Sequence, residues 1–173
     1  MDSISLGLHV LFVAMLVGGQ ALLFFAVVPS TWLIDDERLR RAVTQVVTRR
    51  FAMLAGVSLL GLLVTGLYQF YSDDIVPPGV QDNMMDFRWG VVFSTKMTLF
   101  VVLVVLIAVH GAYFGRRIRE ASEAVEAGTA PAADLERIRV RSLLFSVLMM
   151  VVSIALVFLG ATLGNPAYTD VPT

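Results

Sequence analysis

The sequence contains no cysteine, which excludes disulfides, thiolate metal sites, iron–sulfur clusters and thiol nucleophiles. Charge is scarce, at 16% of residues, and nearly balanced, with a formal net charge of -1. That leaves little of the basic surface nucleic acid requires, so none is expected as a partner. There is no glycine-rich phosphate loop, and the few serines lack a histidine and a carboxylate at a common depth. Nucleotide-driven and serine-hydrolase chemistry are therefore not expected. The start, Met1-Asp2-Ser3, lacks the basic region of a cleavable signal peptide, and the first apolar run is too long for one. It is expected to remain as a membrane anchor.

What the chain has in abundance is apolar surface: 57% of its 173 residues are hydrophobic and mean hydropathy is +0.79. A soluble domain of this size has too little interior for so many apolar side chains. Four stretches approach or exceed the roughly 20 apolar residues a helix needs to cross about 30 Å of hydrocarbon: Ser5 to Val28, Phe51 to Phe70, Trp89 to Phe114 and Ser142 to Leu163. Backbone inside a bilayer must satisfy its own hydrogen bonds, and these runs are too long and uniform for barrel strands. The expectation is an all-α integral membrane four-helix bundle, a single domain over residues 1–173, with lipid as its first partner.

Loop charge sets the expected orientation. The first connection carries Arg38, Arg40, Arg41, Arg49 and Arg50, and the third carries Arg116, Arg117, Arg119, Arg137, Arg139 and Arg141. The second has one arginine, Arg88, against Asp73, Asp74, Asp82 and Asp86. By the positive-inside rule the first and third connections are cytoplasmic and both termini extracytoplasmic, in a prokaryotic inner membrane. Helices three and four should extend past the membrane as a solvated cytoplasmic hairpin. Arg116 with Glu120 and Arg119 with Glu123 stand at i,i+4, Gly128 to Pro131 breaks the helix, and Asp134 onward restarts it. Pro77-Pro78-Gly79 reads as a turn, and Trp89, Tyr68, Tyr71 and Phe87 suit an interfacial belt.

Ionisable side chains within a span are costly and mark functional sites by default. Three occur: His9, Lys96 and His110. His9 lies about one turn into the first helix and Lys96 nearly two turns into the third, which runs parallel, so the two share an outer level. Gln69, Thr65 and Thr95 are candidate companions. His110 returns to the Lys96 face but about 21 Å deeper, and Gln20, on the His9 stripe, reaches towards it. These two form an inner level with Ser142 and Ser146. His9 and His110 are therefore poorly placed as paired axial ligands of one porphyrin, and a haem site at the outer level with His9 as iron ligand is the better arrangement. Eight methionines, notably Met84, Met85 and Met97, raise copper, because thioether sulfur suits Cu(I). Ser142, Ser146, Ser153 and Gly160 recur on one side of the fourth helix and suit close helix packing.

These features resemble the CopD-like copper-resistance membrane family and the related HemJ-type protoporphyrinogen oxidases. The residues that carry the likeness are the first-helix run from His9 through Gly18-Gly19 to Pro29, then Trp89-Gly90 and Lys96-Met97-Thr98-Leu99 in the third, which closes with His110 before Gly115-Arg116-Arg117. Leu16, where tryptophan is usual, and Gln20 depart from the pattern. The resemblance implies a haem b between the helices, with the essential histidine and lysine falling on His9 and Lys96, or copper handling in the CopD-like members. The expected function is haem-based redox or electron transfer, with Lys96 ligating iron or pairing with a propionate and with a quinone or a partner subunit exchanging electrons. Copper transport or delivery, and a non-catalytic accessory role in a larger membrane complex, are the alternatives.

Overall fold

The computed structural model describes residues 2–72, 76, 78–165 and 167. Asp73, Asp74 and Pro77, from the acidic connection and its expected turn, lie outside the described residues. The first long run is α1 (Asp2–Leu22), a π-helical turn (Leu23–Val27) and α2 (Val28–Thr31). The second is α3 (Glu37–Phe70). A short α4 (Pro78–Asp82) and a 3₁₀ turn (Met84–Asp86) follow. The third run is α5 (Arg88–Val109), a second π-helical turn (His110–Phe114) and α6 (Gly115–Glu126), and the fourth is α7 (Ala132–Leu163). All four long runs are long and apolar enough to cross a membrane.

Local chemistry explains the ends. Pro29 lacks an N–H and its ring crowds the carbonyl four residues back, at Phe25, which lies inside the first π-helical turn. The wider turn lets the helix run past the proline. The Asp36 carboxylate then caps α3 by accepting from the amides of Arg38 at 2.8 Å and Leu39 at 3.3 Å. So α3 begins well before Phe51, and much of the arginine-rich connection is helical. The break after α6 falls where the pattern places it. Gly128 adopts φ 70°, a left-handed conformation that glycine takes without a Cβ penalty.

Helix α1 packs antiparallel on α3, α5 on α7, and α7 also touches α1. One buried residue from each helix meets at the centre: Leu16, Ala55, Leu103 and Met149. Large apolar side chains, among them Phe25, Val64, Val105 and Phe158, point outward, a surface compatible with lipid. Between helices in lipid, close packing supplies what hydrophobic burial supplies in water. Gly61 is one such contact, for a Cβ there would come within 2.3 Å of the Phe12 ring. Below, "upper" means the end where α1 begins and α7 ends.

The upper end is capped by Val76, Val80 and Trp89, with Phe70, Phe93, Met84 and Leu163 against them. Trp89 is buried, its ring stacked 5.0 Å from Phe93, which stacks 4.9 Å from Phe70. Aromatic stacking inside the cap thus takes Trp89 away from the interfacial belt expected of it, while Tyr68 and Tyr71 stay exposed. Gly90 sits under the Met84 carbonyl, which a Cβ would approach to 1.8 Å.

At the lower end the α6–α7 hairpin is docked on the start of α3 and is not simply solvated. The Glu37 carboxylate accepts from Arg40 at 2.6 Å, Arg139 at 2.5 Å and the buried Ser122 hydroxyl at 3.3 Å. Arg139 also bonds Glu136 at 2.8 Å, and Leu135 is buried nearby in sequence. Arg116 pairs with Glu120 at 2.6 Å as the spacing suggests, but Glu123 reaches Arg41 of α3 at 2.7 Å in place of Arg119. The Arg41 guanidinium bridges two carboxylates of α6, with Nη2 on Glu123 and Nη1 on Glu126 at 3.5 Å.

Burial alone would push the Glu37 carboxyl up, but hydrogen bonds and charge from Arg139 and Arg40 outweigh it and hold the group below the usual carboxylate range. A depressed folded-state value contributes stability above the ordinary carboxylate range and loses it as pH falls through the lowered value. Glu37→Gln should therefore cost about 1–3 kcal/mol at neutral pH, the low end if water screens the pair. In thermal melts the gap between wild type and variant should close on acidification below the ordinary carboxylate range. A gap that persists unchanged would show the carboxylate charge is not what holds the hairpin.

Candidate functional site

The antiparallel register of α1 and α3 brings His9 beside Thr65. His9 Nδ1 lies 2.7 Å from Thr65 Oγ1, and one turn further up Gln69 Nε2 donates to the Ser5 carbonyl at 3.3 Å. The threonine hydroxyl has one proton, and in the arrangement that donates it to the Gly61 carbonyl, 2.6 Å away, none is left for His9. Toward His9 it can therefore only accept. The imidazole then carries its own proton on Nδ1 and leaves the Nε2 lone pair bare. That is the tautomer a metal ligand needs, with its other nitrogen held by a neighbouring group. Gly66 stands against the ring, where a Cβ would lie 3.5 Å from Cε1.

Lys96, the one lysine of the chain, comes from α5 and lies within electrostatic range of His9. Its amine rests over Gly160 of α7, where a Cβ would be 3.5 Å from Nζ. Among the described residues it has no hydrogen-bond or ion-pair partner. A half-buried ammonium in an apolar bundle without a counter-charge is costly, and an anionic or electron-pair-accepting guest at this level would relieve it. His9, Thr65, Gln69 and Lys96 thus gather in the upper half as the depth count suggests. Thr95 does not join them, being exposed and bonded back to the Val91 carbonyl at 2.8 Å.

Gln20 and His110 belong to the lower half. His110 opens the second π-helical turn, stacks on Phe145 at 5.7 Å and lies tilted against Phe114 at 5.4 Å. Its Nδ1 and the Gln20 Oε1 are buried without a hydrogen-bond partner among the described residues. Ser146 donates to the Ser142 carbonyl at 3.0 Å and so serves its own helix. Met84 packs into the upper cap, whereas Met85 and Met97 are exposed. Among the described residues no three His, Cys, Asp or Glu side chains form a metal-binding group.

The sequence pattern does not single out two positions that the structure does. Thr65 was one of several companions for His9, and only the register singles it out. Ser58 is 0% exposed and its hydroxyl has no partner among the described residues. It stands seven residues before Thr65, hence on nearly the same helix face, a spacing that was available as a signal.

No protein-family model matches the chain, and no solved structure matches it. A protein of Aquifex aeolicus (strain VF5), described as uncharacterized, is 27% identical over 161 residues, covering 92% of this chain and 93% of that one.

Proposed function

We propose that this chain is a haem-binding redox protein of the CopD/HemJ-like type, lying in a prokaryotic cytoplasmic membrane with both termini and the His9 level on the extracytoplasmic side. The orientation follows from the arginines at the lower end of the bundle. The observation that carries the haem reading is the Thr65 hydroxyl on His9 Nδ1, which holds the ring and supports the tautomer with Nε2 bare, beside a lysine without a partner among the described residues.

The donor set fits the group. His9 Nε2 would hold the iron, with Thr65 holding the ring as second partners of metal-bound histidines do. Lys96 would pair with a propionate or itself ligate the iron. Gln20 and His110 stand too far below to reach the same iron. Bound haem supplies one-electron exchange between ferric and ferrous iron. The residues above the site limit water: Trp89, Phe93 and Phe70 stack as a cap, and the Leu16 and Leu103 side chains close the space beneath. Electron exchange with a quinone in the bilayer or with a partner subunit then needs no soluble-phase access.

The test is the absorption spectrum of protein purified after expression with ample haem. A Soret band with α and β bands that sharpen on reduction is the expected result. A colourless, folded protein would overturn the proposal.

A further inference from the structure

Two arginines of α3 differ from their neighbours at the lower end. Arg40, Arg41 and Arg139 are taken up by Glu37, Glu123, Glu126 and Glu136. Arg49 and Arg50 are exposed, and among the described residues neither has a hydrogen-bond or ion-pair partner. No Asp or Glu occurs from Arg38 to Phe70, and the α6 carboxylates that reach α3 stop at Arg41, about 12 Å below Arg49 at 1.5 Å per residue. With Val46 and Met53 the two arginines line an open groove of about 360 Å³, within the roughly 300–1,000 Å³ of small-molecule sites. The spacing of these four residues puts them on one face of the helix.

The depth of the groove follows from the helix rise. Phe70, Trp89 and Leu163 share the upper cap, so α3, α5 and α7 reach a common upper level. A hydrocarbon layer of about 30 Å takes about 20 residues of helix, and that many residues down α3 from Phe70 is Arg50. The pair therefore stands where the apolar layer ends and lipid phosphates begin. Above it the same stripe continues as Met53, Val57, Leu60 and Val64, all exposed. Leu60, about 15 Å above Arg50, marks half the layer, the depth of one leaflet's acyl chains.

We propose that this groove seats an anionic phospholipid of the lower leaflet, with its phosphodiester at Arg49 and Arg50 and an acyl chain along Met53, Val57 and Leu60. A guanidinium offers phosphate oxygens paired N–H donors. Two of them with no carboxylate alongside select a headgroup of net negative charge, because a zwitterionic one brings its own ammonium against the second arginine. A second copy of the chain is a poorer occupant, since a two-fold axis along this stripe would set Arg50 against its own counterpart. The site rests on the membrane reading of the four apolar helices and is independent of haem at the His9 level.

The experiment uses the full chain in phosphatidylcholine vesicles with trace spin-labelled phosphatidylglycerol or phosphatidylcholine, and reads the motionally restricted lipid by electron paramagnetic resonance. Wild type should prefer phosphatidylglycerol by about fivefold or more, since one arginine near a membrane surface contributes about that factor. The Arg49→Gln/Arg50→Gln double variant, which removes only exposed side chains, should bind the two lipids equally while keeping its helical circular dichroism and monodisperse elution. Arg119→Gln/Arg137→Gln removes the same charge from the hairpin and should keep the wild-type preference. Inorganic phosphate should displace no more phosphatidylglycerol than potassium chloride of equal ionic strength. Equal binding of both lipids by wild type, or equal loss in both double variants, would overturn the proposal. Displacement specific to inorganic phosphate would overturn it too, because the groove would then take free phosphate.

Discussion

His9→Ala is expected to abolish the Soret band, with haem affinity falling by more than about 100-fold, because removing an axial ligand must cost more than the 10–100-fold typical of losing its supporting partner. The variant should nevertheless fold. Thr65 keeps its hydrogen bond to the Gly61 carbonyl, so the substitution strands no buried donor. The ring it removes is half-buried on a helix whose other contacts, Phe12 on Gly61 and Gly19 against Phe51, lie elsewhere. His110→Ala should leave the band in place, since that ring belongs to the lower level with Phe145. Loss of the band in both variants, or in neither, would contradict the assignment of the ligand to His9.

Thr65→Val is the second large effect and the more discriminating one. Valine matches threonine in shape but cannot accept from Nδ1, so the imidazole is free to rotate and to exchange tautomers. Affinity should drop about 10–100-fold with the ligand itself intact. Stability should fall by only about 1 kcal/mol, the ordinary worth of a lost hydrogen bond. Thr65→Ser keeps the hydroxyl and should restore affinity. Haem titrations of the three proteins would check this. If Thr65→Ser behaves like Thr65→Val, the β-methyl packing matters and the hydroxyl does not.

Much of the architecture was legible because apolar run length is a strong signal. The second and fourth spans end at Phe70 and Leu163 as the hydropathy pattern indicates, and the break at Gly128 follows from glycine's tolerance of positive φ. The start of α3 was hidden because Glu37 to Arg50 is charged, and polarity conceals a helix whose support comes from the hairpin packed on it. Glu37 as the anchor of that hairpin needed contacts with Ser122 and Arg139, far away in sequence. Trp89 misled because an aromatic at a span end suits an interface equally well until Phe93 and Phe70 are seen to stack on it.

At the candidate site, depth counting along single helices separated His9 and Lys96 from Gln20 and His110. Rotation between helices was beyond its reach. Thr65 and Thr95 are alike as sequence, and only helix register turns one onto His9 and the other outward. Gly160 likewise looked like one member of a small-residue stripe, and only the packing of α5 on α7 sets the Lys96 amine against it. Spacing puts Ser58 on the Thr65 face, but that the Gln20 and Ser58 polar atoms meet no partner among the described residues follows from packing on neighbouring helices.

The most direct measurement of the central claim is a titration of the detergent-purified chain with ferric haem, followed by absorbance in wild type and His9→Ala. The account predicts saturation at one haem per chain in the wild type, with a nitrogen-ligated spectrum that the variant never develops. Absorbance that rises without saturating, and identically in both proteins, would mean that haem merely partitions into detergent and that His9 holds no iron.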